Sequence, residues 1–183
     1  MTTWTPWIPI VVVLVASSVA FSGHVYNQWA NRRQQTSQKL ADAIAAVNDY
    51  KDLPFRVRRR PYSSPEIRWQ LSERGSEIHS RMDFHLAWLA IVSPEVADHY
   101  KFLVETVRRE AGDHIKLAWK QPLIAGDSEM NAALGDQYTY NVTSAAQESC
   151  IAAMRSYVHA RWPFRHRTGM RSDRLALNHS VDS

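Results

Sequence analysis

The first 31 residues of the chain contain no Asp, Glu, Lys or Arg. Within them, residues 7–23 read WIPIVVVLVASSVAFSG, an apolar stretch in which only three serines are polar. Aromatic residues flank the stretch, and the 19 steps from Trp7 to Tyr26 correspond to roughly 28 Å of α-helix, close to the ~30 Å hydrocarbon layer of a bilayer. We therefore expect residues 1–29 to form an N-terminal segment and a single transmembrane helix.

The charges that flank this stretch predict its orientation. No Lys or Arg precedes it, whereas Arg32, Arg33 and Lys39 follow it. Because positive charge stays on the cytoplasmic side, we expect a cell-membrane protein with its N-terminus outside and residues 30–183 in the cytoplasm. The alternative is a signal peptide cleaved near Ala20, which would export the remaining helical domain. The lack of a basic segment before the apolar stretch favours the uncleaved anchor.

Residues 30–162 show helical rather than strand periodicity. We expect the anchor to continue as a stalk helix over 30–52. Pro54 should end this helix, because proline lacks the amide that a helix interior needs. A basic linker over 53–63 follows, and apolar stripes then predict helices over 65–92, 94–120 and 136–162. The remaining residues, 163–183, are basic and expected to be disordered.

The predicted helices are similar in length and are joined mostly by short links, which favours an antiparallel bundle of about four helices. Ser64-Pro65 and Ser93-Pro94 each resemble a helix start, with Ser as the cap and Pro in the first turn. The link at Ser93 is so short that one kinked helix is an alternative. The stalk stripe of Leu40, Ile44 and Val47 could pack on the bundle or, as a coiled coil, on a second copy of the chain.

Two basic clusters are candidate contact sites for an acidic partner or for anionic lipid headgroups. The first consists of Arg56, Arg58, Arg59 and Arg60, and the second of Arg161, Arg165, Arg167 and Arg171. In an antiparallel bundle the second cluster would return to the membrane, where each basic residue gains about 1 kcal/mol. The alternative is that both clusters are solvated by water and only keep the linkers soluble. The net charge of +4 lies in these flanks and not in the middle of the chain, which argues against nucleic-acid binding.

The sequence evidence for a metal site is weaker than that for the basic clusters. His79 and Asp83, Glu95 and His99, and Glu110 and His114 are spaced four apart, so each pair shares one helix face. The Glu-x-x-His spacing of helical di-iron proteins is absent, and surface pairing is the ordinary interpretation. Cys150, the one cysteine, would need a neighbouring base to act as a nucleophile. His159 is nine helical residues away, roughly 13 Å, which is too far for the two side chains to touch. We therefore predict no resident metal, cofactor or catalytic residue.

The function predicted from these features is that of a membrane-tethered, non-catalytic helical module for interaction, scaffolding or regulation, with a protein partner. A metal-dependent helical-bundle enzyme is the main alternative, and an exported helical domain is the second. Trp69, Trp88, Trp119 and Trp162 could mark a binding face, although core packing or helix-end anchoring is the favoured interpretation.

Overall fold

The computed structural model describes residues 7–124, 126 and 138–160. In the first turns it describes the side chains of Leu14, Ser17 and Phe21, and then those from His24 onward. Within this part of the chain there are four helices and no strand. They are α1 (Trp7–Arg58), α2 (Pro65–Val92), α3 (Pro94–Lys120) and α4 (Asn141–Ala160). The prediction of an all-helical fold is confirmed.

Helix α1 passes through Pro54 and ends at Arg58, so the predicted helix end at residue 52 was wrong. Proline removes one helical hydrogen bond, but it lies here within the last turns, and the neighbouring Leu53 and Val57 are buried. The Tyr140 hydroxyl also donates to the Lys51 carbonyl at 2.9 Å. Tertiary packing therefore stabilises α1 beyond Pro54, and the linker that follows is shorter than the predicted 53–63.

Ser93 alone separates α2 from α3, which have the predicted bounds. The Ser64 hydroxyl caps α2 by accepting from the Ile67 amide at 3.4 Å, as its sequence pattern predicts. Ser93, by contrast, makes no side-chain cap bond to α3. Its own amide donates to the Leu89 carbonyl at 2.8 Å, so this residue closes α2 in an extended conformation instead. The chain reverses direction here rather than forming one kinked helix.

Helix α4 begins at Asn141 and not at the predicted residue 136, because the start of the helix is set by a contact with α3. The Glu110 carboxylate accepts from the backbone amides of Val142 and Thr143 at 3.3 and 3.0 Å. A carboxylate at this position satisfies amides that the first turn of a helix leaves unpaired. The predicted tail, 163–183, lies outside the described residues.

Contacts between neighbouring helices show that the bundle is antiparallel. Lys39 of α1 lies over the Trp88 ring of α2, while Asp49 pairs with Arg81, so positions rise along α1 as they fall along α2. On the other side of the bundle, His99 and His114 of α3 contact Ser149 and Thr139 respectively, which gives α4 the opposite direction to α3. Helices α1 and α3 run parallel as the central pair.

The core lies between α1 and α3 and is completed by α2 and α4. Its largest fully buried members are Tyr100, Ile78, Met82, Leu89 and Leu103, and each aliphatic one contributes about 1.5–3 kcal/mol by leaving water. Of the stalk stripe, Leu40 and Val47 are buried in this core and Ile44 packs against it. The stripe therefore packs on the bundle of its own chain.

In the part of the chain described here, no helix carries a run of residues long and apolar enough to cross a bilayer. Most side chains of the apolar stretch at 7–23 lie outside that part. The predicted transmembrane anchor therefore stays a prediction.

Candidate functional site

Three arginines of the first basic cluster have partners within the chain. Arg56 pairs with Asp52 at 2.7 Å, and Arg59 lies 3.6 Å from the same carboxylate. Arg58 donates to the Pro122 carbonyl at 2.6 Å. These exposed contacts are individually weak, and they leave the predicted contact with an acidic partner open.

Arg60 differs from the rest of this cluster because it is buried, with 6% of its surface exposed. Its guanidinium donates to the carbonyls of Val57, Ala118 and Gln121 and to the Ser63 hydroxyl, at 2.8–3.2 Å. It also lies over the Trp119 ring, 4.9 Å from the centroid. One side chain thus joins the C-terminal ends of α1 and α3, where a cation is favoured by both helix dipoles. Arg60 has a structural role that the sequence pattern missed.

The second predicted cluster, Arg161, Arg165, Arg167 and Arg171, lies outside the described residues.

The six candidate metal ligands have separate uses. Asp83 pairs with Arg108, Glu110 caps α4, and His99 bonds the Ser149 hydroxyl. The His114 ring contacts the Thr139 carbonyl and packs between Tyr138 and Tyr140. Glu95 lies in the first turn of α3, and His79 stacks on Tyr50 with ring centroids 4.8 Å apart. Across the described residues, no three His, Cys, Asp or Glu side chains come together as a metal site.

Cys150 is fully buried in the core. Burial raises the pKa of its thiol to about 11, so the thiol stays protonated at neutral pH. A protonated, inaccessible thiol is a poor nucleophile.

Two histidines of α2 are held partly or fully inside the bundle. His79 Nε2 and His85 Nδ1 make no hydrogen bond within the described part of the chain. Burial lowers the pKa of both imidazoles; Arg108 lowers that of His79 further, and Asp83 opposes the effect. For His85, Asp42 opposes burial, while Arg81 and Lys39 reinforce it. The folded state therefore favours the neutral form of both rings.

This preference predicts that acidification destabilises the fold. The unfolded chain binds protons at a histidine pKa near 6.5, whereas the folded chain does so only at lower pH. The free energy of unfolding should therefore fall as pH drops from about 7 through 6.5 toward the folded pKa, by at most about 1.4 kcal/mol per pH unit for each ring. Urea unfolding at a series of pH values would measure this slope.

The double variant His79→Asn/His85→Asn should flatten that slope, and His159→Asn, which changes an exposed ring of α4, is its control. An unchanged slope in the double variant would show that other groups cause the pH dependence.

A pocket of about 380 Å³ lies at the end of the bundle that follows the apolar stretch. We call it the Trp29–Trp88 pocket. It lies between the middle of α1 and the C-terminal ends of α2 and α4. Its lining is Trp29, Arg32, Arg33, Gln35, Thr36, Lys39, Trp88, Val92, Tyr157 and Val158. Three cations and three aromatic rings thus share one cavity, and the described residues that line it include no carboxylate.

The aromatic rings position two of these cations. Lys39 Nζ lies 5.3 Å from the Trp88 ring centroid, and Arg33 Cζ lies 5.8 Å from that of Trp29. Such contacts are worth about 0.5–1 kcal/mol at exposed sites, enough to orient a side chain. The pocket is therefore suited to a ligand that combines negative charge with an apolar part.

The sequence held a partial signal for this pocket. Trp29, Arg33, Thr36 and Lys39 recur at helical spacing, so they share one face of α1. The contributions of Trp88 and Tyr157 depend on how α2 and α4 pack, which no local pattern reveals. Of the tryptophans considered as markers of a binding face, Trp88 lines the pocket and Trp119 contacts Arg60. Trp69 is exposed, and Trp162 lies outside the described residues.

Comparison of the chain with models of protein families, with curated proteins and with solved structures finds no match.

Proposed function

We propose that this chain is a membrane-tethered, non-catalytic module that holds a four-helix bundle at the inner face of the cell membrane and presents it to a protein partner. One observation carries the proposal. The apolar stretch at 7–23 and the first helix of the bundle form one continuous 52-residue helix, α1, about 78 Å long at ~1.5 Å per residue.

The exposure of α1 supports this proposal. Every described side chain from Leu14 to Gln28 is exposed, and Leu14 and Phe21 are 61% and 70% exposed. Burial in the core begins only at Leu40. An apolar helix whose described side chains are exposed is favoured in lipid, where its backbone hydrogen bonds are already satisfied. The basic residues Arg32 and Arg33 follow directly, as expected for the cytoplasmic end of a span.

Alkaline carbonate extraction of membranes containing the full chain tests the tether. We expect the chain to remain in the membrane pellet. The double variant Leu14→Arg/Phe21→Arg should shift it to the supernatant, because each charge costs about 2.5–3.5 kcal/mol near the middle of a span. Tyr62→Arg/Trp69→Arg, which makes the same change at exposed bundle positions, is the matched control. Extraction of the unaltered chain would overturn the tether.

Orientation and processing need separate measurements. Protease added outside intact cells should spare an epitope placed after Ser183, and digestion of that epitope would overturn the inner-face assignment. The intact mass of the chain from membranes should include the N-terminal stretch. A mass that corresponds to cleavage near Ala20 would favour an exported domain.

A further inference from the structure

We propose that a second copy of this chain docks along the groove between α1 and α4, so that the two copies form a dimer about a twofold axis parallel to α1. We call this surface the α1–α4 groove. Its apolar lining includes Leu40, Ala41 and Ile44 of α1, and Ile151, Met154 and Val158 of α4. The inference goes beyond the proposed function and does not depend on the tether, because it rests on contacts within the bundle.

The groove exists because α4 packs mainly on α3. Helix α4 bonds to α3 at its first turn and again midway along its length. Its described hydrogen bond to α1 is the one that Lys51 Nζ donates to Gln147 at 3.4 Å. Beyond that level a space of about 480 Å³ lies between the two helices, where Ala41 is exposed and Ile44 and Ile151 are half-buried. The groove therefore presents apolar surface to a partner.

Charged side chains on the two sides of α1 favour a second copy as that partner. Arg155 lies at the α4 edge of the groove. Asp42 lies two residues from both Leu40 and Ile44, so it faces the other side of α1, where it accepts a hydrogen bond from Gln38 at 3.0 Å. Among the described residues, neither Asp42 nor Arg155 forms an ion pair. The chain thus carries both members of an ion pair on separate surfaces.

These two charges lie at the same level of the bundle. The contact between Lys51 and Gln147 fixes the level of α1 against α4. Asp42 is nine residues before Lys51 and Arg155 is eight residues after Gln147, or roughly 13 and 12 Å along helices that run in opposite directions. Rotation about an axis parallel to α1 leaves every level unchanged, so Arg155 of one copy stays level with the partner's Asp42.

The twofold axis also brings the two charges to facing sides. Within one copy, α4 lies on one side of α1 and Asp42 on the other. Twofold rotation exchanges the sides, so α4 of the partner lies along the Asp42 side of the first α1, and the same patch contacts itself. Ala41 and Ala45 are exposed on the face between them. Their short side chains allow the two α1 helices to approach to about 8–10 Å between axes.

Sedimentation equilibrium of the full chain in uncharged detergent micelles tests this inference, and we expect a dimer. Arg155→Asp and Asp42→Arg should each weaken self-association about tenfold, or about 1.4 kcal/mol, because each brings like charges together in both contacts. An equal mixture of the two variants should regain the association of the unaltered chain, because both contacts of the mixed dimer again join opposite charges.

Arg109→Asp and Asp98→Arg are the matched controls, because they reverse the same charges at exposed positions of α3 outside the groove. Equal thermal unfolding midpoints would establish that all four variants are folded. The mass of a single chain at every concentration would overturn the inference. Equal effects of groove and control variants, or a mixture that does not regain association, would also overturn it.

Oxidative cross-linking of Ala41→Cys tests the position of the axis. A cysteine beside a twofold axis can join its own copy, since a disulfide needs Cα atoms about 4.4–6.8 Å apart. Cys150 is fully buried and does not compete. We expect a covalent dimer for Ala41→Cys and none for Ala87→Cys, at an exposed position of α2. An Ala41→Cys chain that stays single would overturn the inference, and resistance of its thiol to alkylation would assign the groove to another segment of the same chain.

Carbonate extraction separates this inference from the tether. A chain that is extracted from membranes but still responds to Arg155→Asp would lose the tether and keep the dimer. A chain that resists extraction but has the mass of a single copy in micelles would keep the tether and lose the dimer.

Discussion

Replacing Tyr100 by alanine should lower the free energy of unfolding by about 3–5 kcal/mol, the range for removal of a large buried aromatic side chain. Tyr100 is fully buried, and its hydroxyl donates across the bundle to the Ala43 carbonyl at 3.1 Å. The variant would leave a cavity between α1 and α3, the central pair of helices. Urea unfolding followed by far-ultraviolet circular dichroism would measure the loss.

Tyr100→Phe separates the hydrogen bond from the ring, because it removes only the hydroxyl. We expect it to cost about 1 kcal/mol, the net value of one such bond. The control is Phe102→Ala on the same helix, where the ring is 57% exposed and the expected change is within about 0.5 kcal/mol. If Tyr100→Ala and Phe102→Ala destabilised the chain equally, the α1–α3 contact would not be central to the fold.

Replacing Arg60 by lysine should lower the free energy of unfolding by about 2–3 kcal/mol although the charge is kept. The guanidinium bonds four oxygens at once, whereas a single ammonium cannot match that planar arrangement. Buried carbonyls that lose a charged donor each cost about 1–3 kcal/mol, partly offset by water. Thermal and urea unfolding of the full chain would both report the change.

Arg59→Lys is the control for Arg60→Lys. It makes the same substitution one residue earlier, at an exposed side chain 3.6 Å from Asp52, and should change stability by less than about 0.5 kcal/mol. Equal effects of the two substitutions would mean that Arg60 does not join the ends of α1 and α3 as the structure indicates.

The bounds of α2 and α3 could be read from the sequence because their signals are local. Ser64-Pro65 and Ser93-Pro94 mark the starts, and the apolar stripes between them repeat every three to four residues. The end of α1 could not be read in this way. Pro54 is a strong local stop, yet burial of Leu53 and Val57 against other helices outweighs it.

The basic cluster at residues 56–60 shows the same limit at the level of single side chains. Nothing in RVRRR distinguishes Arg60 from its neighbours. Only the packing of α1 against α3 places Ala118 and Gln121 within reach of that one guanidinium. The six candidate metal ligands are likewise separated by the bundle, since each i,i+4 pair shares a helix face but meets different neighbours on the facing helices.

The sequence by itself determined the helical character of α2, α3 and most of α1 and α4, the antiparallel order that mostly short links favour, and the separation of an uncharged beginning from a charged remainder. Tertiary structure alone decided that Arg60 is buried and that Trp88 and Tyr157 join Arg32 and Lys39 around one pocket. The physical reason is the separation along the chain of the residues that determine each feature. Helix periodicity and capping depend on residues three or four positions apart, whereas contacts between helices depend on the register and rotation of every helix in the bundle.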